Sequence, residues 1–270
     1  MPRRKTPKNT ESKGSPETSR VKTPSRKTVR KTKEFDISDI VEQTRDAVIQ
    51  LLGLDQLGVN DELVSLIVQE VVESLASGYS SKPKPDAIVK KLKKNLNLYR
   101  GIAAHALIEN VDKPTLEQLE YIARFGERAV IGEISKFYRL ATEHNREDII
   151  MALRTAWSKY GPKNMVECPR CGFNSIAPDY ACVVCGNVVT EKYIREKIGF
   201  EEKFIMYVKS ASVAELRDVA SLGFVLANQK GVFYPRSKNV VKMCPCYTIY
   251  LSAKEMSILM EEMNSRDLQV

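Results

Sequence analysis

Two short cysteine turns constrain this chain more than any other stretch: Cys168-Pro169-Arg170-Cys171-Gly172 and Cys182-Val183-Val184-Cys185-Gly186, with ten residues between Cys171 and Cys182. Each pair puts two thiolates on one tight turn, and the glycine after the second cysteine permits the positive φ that such a turn needs. Two turns facing each other close a tetrahedral cage of four sulfurs, the geometry of a structural zinc site. The expected ligands are therefore Cys168, Cys171, Cys182 and Cys185, and the expected cofactor is Zn2+. Four thiolates leave no open position, so such a metal holds structure and does not activate water. An iron atom takes the same four-sulfur geometry, and two disulfides are the other use of four cysteines. Disulfides sit poorly with a sequence that shows no secretory signal.

Residues 165–190 resemble the zinc-ribbon module, with its rubredoxin-like knuckles, found in transcription factors, polymerase subunits, ribosomal proteins and replication accessories. The resemblance implies a rigid docking knuckle for protein or RNA. It covers only that segment of the 270 residues and points to no family for the remainder. Charge on the ribbon is balanced, with 5 bases and 4 acids between Lys163 and Lys197. Its expected exposed groups are Arg170, with Phe173 or Tyr180 as candidates for stacking.

The net charge of +8 conceals a strong segregation. Residues 1–33 carry 12 Lys/Arg against 2 Glu, whereas residues 34–81 carry 10 acids against the single base Arg45. Residues 82–100 return to 7 bases against Asp86, and residues 101–270 nearly balance at 22 bases and 21 acids. Basic character thus belongs to a tail and one short segment. The tail has almost no apolar side chains besides Val21 and Val29, so it is expected to be disordered. Its repeated Lys/Arg-Thr clusters resemble the tails of linker histones and ribosomal proteins, which implies phosphate contact without base readout. The candidate contacts are Arg3, Arg4, Lys5, Lys22, Arg26, Lys27, Arg30, Lys31 and Lys33. A tail that merely solubilises the chain is the alternative.

From Phe35 to about Tyr160 the apolar periodicity is helical. Ile37, Ile40, Val41, Thr44, Val48, Leu51 and Leu52 share a face of a helix stopped by Gly53. Leu63, Leu66, Ile67, Val71 and Leu75 share one on a second helix, which opens at Asn60-Asp61-Glu62 and ends at Gly78. Pro85 suits the first turn of a third helix, in which Ile88, Leu92, Leu96 and Tyr99 face inward. Lys90, Lys91, Lys93 and Lys94 fan over its opposite side, and Lys90, Lys91 and Lys94 join the candidate nucleic-acid contacts. Further helices are expected at 101–109, 115–125, 127–143 and 146–160, with Trp157 filling the core beside the ribbon. Thr190 to Ser210 reads as one helix, and Ser212-Val213-Ala214-Glu215 as a capping box opening the next. A β-hairpin over 224–234, a strand near 247–251 and a second capping box, Ser252 to Glu255, complete the pattern. Helix, helix, hairpin is also the order of a winged helix, although no helix there shows a basic reading face.

Catalytic options are narrow. His105 and His144 are the only histidines, and the first reads as a core or boundary side chain, the second as a helix-end cation. No phosphate-binding loop, nucleophile elbow, zincin or deaminase motif is present in the sequence. Glu201 and Glu202 read as the polar face of a helix that buries Phe200 and Phe204. Cys244-Pro245-Cys246 reads as two small buried side chains at an edge strand or bulge, or as a half-site completed by a partner.

The sequence thus predicts a mainly α protein: a disordered basic tail (1–34), a helical domain (35–161), a four-cysteine zinc ribbon (162–190) and a small C-terminal α/β module (191–270) in which a winged helix is one option. The expected role is a non-enzymatic, nucleic-acid-associated accessory or scaffold factor of DNA replication, transcription or repair. DNA or RNA would bind through the tail, and a protein partner through the ribbon and the acidic helices of 35–78. A ribosome- or RNA-associated factor and a protein–protein adaptor are the alternatives. No apolar run suits a membrane, so the expected setting is cytoplasmic, at the nucleoid or ribosome.

Overall fold

The computed structural model describes residues 36–267. The tail and its candidate contacts, Arg3 through Lys33, lie outside the described residues.

Apolar stripes at helical spacing and local stop signals build the first half. Helix α1 (Ser38–Leu52) buries Ile40, Thr44, Val48 and Leu52 and ends at Gly53, whose φ of 76° places its N–H on the carbonyls of Ile49 and Gln50. Helix α2 (Asp61–Ala76) starts where the Asn60 side chain accepts the Leu63 N–H at 2.8 Å. Its buried stripe is Val64, Ile67, Val68, Val71, Val72 and Leu75, so the face expected through Leu66 is rotated: Leu66 is 41% exposed. The nearly continuous apolar run from Leu63 to Val72 admits either phase, and the observed one puts six branched side chains on an unbroken stripe.

The expected third helix divides. Helix α3 (Pro85–Lys94) ends at Asn95, which leaves helical geometry at φ −126°, and α4 (Leu96–Asn110) restarts at once. Ile88 and Leu92 therefore reach the core from α3 and Tyr99 from α4. Helix α5 (Leu116–Phe125) opens with a Thr115/Gln118 capping box, and the Gln118 amide also donates to the Leu57 carbonyl at 2.9 Å. A 3-10 turn at Ala129–Ile131 replaces the start of the expected 127–143 helix, so α6 is confined to Ile134–Glu143. Helix α7 (Glu147–Tyr160) carries the buried Trp157 toward the ribbon, as expected.

The ribbon pairs β1 (Val166–Glu167) with β2 (Asn174–Ile176), antiparallel. Beyond it, Gly199 at φ 64° splits the expected single helix into α8 (Glu191–Ile198) and α9 (Phe200–Ser210), whose Phe200 and Phe204 are buried and stacked. Both predicted capping boxes form: Ser212 with Glu215 opens α10 (Val213–Leu222), and Ser252 with Glu255 opens α12 (Ala253–Asp267). Strands β3 (Phe224–Asn228) and β4 (Gly231–Phe233) form the hairpin. The short α11 (Val240–Met243) then leads to β5 (Tyr247–Tyr250), which pairs with β3 on the side away from β4. The hairpin is thus one flank of a three-stranded sheet rather than a two-stranded wing, and α12 packs behind it on α9 and α10.

The architecture is mainly helical with small antiparallel sheets toward the C-terminus. Residues 36–267 pack as one compact unit around a hydrophobic core that runs from Ile40 through the ribbon's Phe173 and Ile176 to Leu259.

Candidate metal centre

Both knuckles fold the same way. The Gly172 N–H donates to the Cys168 carbonyl and the Gly186 N–H to the Cys182 carbonyl, each at 2.9 Å, and both glycines have φ of 72°. The first cysteine of each knuckle closes the turn from the other side, Cys168 N–H on Phe173 O and Cys182 N–H on Asn187 O, both at 2.8 Å. The result brings the four sulfurs together within 4.8 Å of one another, with Cys168 to Cys185 and Cys171 to Cys182 each at 3.6 Å. A tetrahedral ion with metal–sulfur bonds of about 2.3 Å needs sulfur–sulfur edges of roughly 3.8 Å, so the donor set and its dimensions suit one metal ion.

The thiols are not equivalent. Cys182 Sγ lies 3.6 Å from Cys171 Sγ and 3.0 Å from the buried Ser175 hydroxyl, and its hydrogen bonds to these two groups hold its thiol well below the ordinary range. The Cys185 N–H also points at its sulfur, at 3.4 Å. The same bond with Cys182, together with burial, drives Cys171 far upward, and burial pushes Cys185 up to about 11.

Side chains from both flanks brace the ribbon. From α7, the Arg154 guanidinium donates twice to the Cys171 carbonyl at 2.9 and 3.1 Å, and the Trp157 indole N–H donates to Asn174 O at 2.8 Å. Phe173 lies between them and Tyr138, with edge-on ring contacts to Tyr138 at 5.6 Å and to Trp157 at 6.4 Å. From the opposite flank, the buried Tyr247 hydroxyl accepts the Val166 N–H at 2.9 Å and donates to Ile176 O at 2.8 Å. Tyr193 and Tyr180 donate to Glu167 O and Thr248 O at 3.0 and 2.5 Å.

These contacts correct the expectation that Phe173 or Tyr180 stacks on a ligand. Phe173 is buried by α6 and α7, and Tyr180 is half-buried with its hydroxyl engaged. Arg170 is exposed as expected. Sequence reasoning missed Arg154, Ser175 and Tyr247; the one local signal was that Arg154 and Trp157, three apart, share a helix face.

Elsewhere, Lys90, Lys93 and Lys94 are exposed on α3, while Lys91 is half-buried, donating to the Leu75 carbonyl at 2.7 Å and lying over the Tyr79 ring. His105 is exposed beside Glu109 rather than at the core boundary, and His144 caps the end of α6. Of the Cys-Pro-Cys pair only Cys246 is buried; Cys244 is exposed, and the pair precedes β5 instead of lying within it. Comparison with models of protein families finds no match, and searches of the curated proteins and of the solved structures return no significant similarity.

Proposed function

We propose that this protein is a zinc-stabilised, non-enzymatic accessory factor that binds nucleic acid through phosphate contacts. The observation that carries the reading is the four-sulfur set, closed by the chain's own turns and largely buried. All-thiolate tetrahedral sites favour zinc and leave no coordination position for chemistry, so the ion acts as a staple. The phosphate contacts are assigned to the 12 bases of residues 1–33 and to the exposed Lys90 and Lys94 of α3, with Lys91 tying that helix to the Leu75 carbonyl of α2. Glu42, Asp46, Glu70 and Glu73 are exposed on α1 and α2 and suit a basic protein partner. Work at the nucleoid or the ribosome follows from this reading.

Two measurements test it. Elemental analysis of protein purified without chelators is expected to give one zinc per chain; iron, or no metal, rejects the zinc staple. Affinity for mixed-sequence nucleic acid is expected to fall steeply with salt, and replacing the Lys/Arg of residues 1–33 by Gln is expected to flatten that dependence. An unchanged slope rejects the tail as the phosphate contact.

A further inference from the structure

The balance of 22 bases and 21 acids over residues 101–270 hides one acid-free stretch. Residues 219–254 contain Lys230, Arg236, Lys238, Lys242 and Lys254 and no Asp or Glu. This stretch is the three-stranded sheet with its connections. The nearest acids at its two ends are already engaged: Asp218 by the Tyr234 hydroxyl at 2.6 Å and by Arg236 at 3.0 Å, Glu255 by Arg195 at 2.7 Å and by its Ser252 cap.

Alternation along the strands gives this sheet two unlike faces. Val225, Ala227, Val232, Tyr247 and Ile249 point into the core. The other face carries Phe233, Leu226 and Thr248 as one cross-strand row and Phe224 and Tyr250 as the next, the last two rings 6.1 Å apart. Phe224, Leu226 and Phe233 are half-exposed and neither belong to the core nor pack against it, and Tyr250 is 64% exposed. Three aromatic rings on an open sheet face are a cost that folding alone does not explain.

Exposed bases lie near both ends of the sheet. At the hairpin turn the Lys230 N–H binds Asn228 Oδ1, while Asn228 Nδ2 binds the Met243 carbonyl, each at 2.8 Å, so Lys230 and Lys242 flank the same corner. Lys254 follows Tyr250 at the other end. Aromatic faces framed by cations suit a single-stranded nucleic acid, whose bases stack while its phosphates meet the lysines; duplex bases are not free to stack there.

We infer that the outer face of the β4–β3–β5 sheet, through Phe224, Phe233 and Tyr250 with Lys230, Lys242 and Lys254, binds single-stranded nucleic acid. This deepens the proposed function and rests on it for the class of partner. It adds base stacking to a reading that otherwise contains only phosphate contact.

The test uses the full chain with a labelled single-stranded oligonucleotide of mixed sequence and the matching duplex. Tyr250→Ala is expected to weaken single-strand binding about tenfold, with the salt slope and duplex affinity unchanged. Tyr250→Phe is expected to retain binding. Lys230→Gln with Lys242→Gln is expected to lower the single-strand salt slope by about 1.4, at roughly 0.7 per phosphate contact. Tyr250 is exposed, so the Ala variant keeps the fold, which circular dichroism checks. Equal single-strand affinity for Tyr250→Ala and the wild type overturns the stacking face, even where a protein is found to cover it instead. If tail neutralisation still flattens the slope in that case, the proposed function stands without this face. A wild-type chain that binds neither oligonucleotide overturns both.

Discussion

The two knuckles share a backbone and differ in everything around it. The first, Cys168 to Gly172, is pinned by Arg154 on its Cys171 carbonyl, and the adjoining Phe173 is buried under Tyr138 and Trp157. The second, Cys182 to Gly186, is held within the ribbon itself, with Cys182 and Val184 buried and the Val183 N–H on Ser175 O at 3.0 Å, while Cys185 is half-buried, Val183 is 43% exposed and a Cβ on Gly186 would meet nothing within 4 Å. Identical local chemistry is therefore tied to helix α7 on one side and to the ribbon's own strand on the other. The lesson is that a metal knuckle's role is set by its neighbours, whereas its geometry is set by its own four residues and glycine.

The largest effect removes what the knuckles share. Cys182→Ser takes away the sulfur with the most hydrogen-bond partners and is expected to abolish metal retention, with a stability loss on the order of 5 kcal/mol or more. Metal content and thermal unfolding with and without chelator check it; a variant that keeps its metal shows that the two knuckles do not share one site. Because protons compete with the ion for thiolates, the wild type is expected to release metal as pH falls.

Phe173→Ala or Trp157→Ala strips the side tied to α7 and is expected to cost about 3–5 kcal/mol. Denaturant unfolding measures it, and a cost below about 1 kcal/mol would mean that the first knuckle does not depend on α7. Next comes Arg154→Ala, which leaves the Cys171 carbonyl without two donors and is expected to cost about 2 kcal/mol. Hydrogen exchange at the first knuckle should rise with the second unchanged; equal changes in both would show that the ribbon opens as one piece.

The smallest effects sharpen the contrast. Gly172→Ala and Gly186→Ala each force a side chain to a φ of 72°, costing about 1–2 kcal/mol. The first also brings a Cβ to 3.4 Å from Arg154, so it is expected to be the worse of the two. Val183→Ser, at an exposed position of the second knuckle, should fall within about 0.5 kcal/mol of the wild type, measured in the same unfolding series.

What the sequence made legible was local. Cysteine spacing, the glycine after each knuckle, the stop at Gly53 and the Ser212 and Ser252 capping boxes each act within four residues, and each is found where it was expected. The breaks at Asn95 and Gly199 were missed because apolar spacing continues across them, and Leu66 was misplaced because two helix phases fit the same run. Contacts such as Tyr247 with Val166, 81 positions apart, leave no local trace. The open aromatic sheet face leaves no local trace either, because Phe224, Phe233 and Tyr250 come together only through strand register.

The Tyr247 hydroxyl, bridging β1 and β2 at the base of the ribbon, also bears on the order in which the molecule is made. The ribosome delivers the four cysteines before Tyr247, which follows Gly186 by about 60 residues, or roughly 3–12 s of synthesis. During that interval the nascent chain has all its ligands but lacks the hydroxyl that ties the two strands together, so an ion captured early sits in an unlocked cage. A chain cut between Gly186 and Tyr247 would carry all four ligands without that tie, and it is expected to lose its metal to a chelator faster than the full chain does.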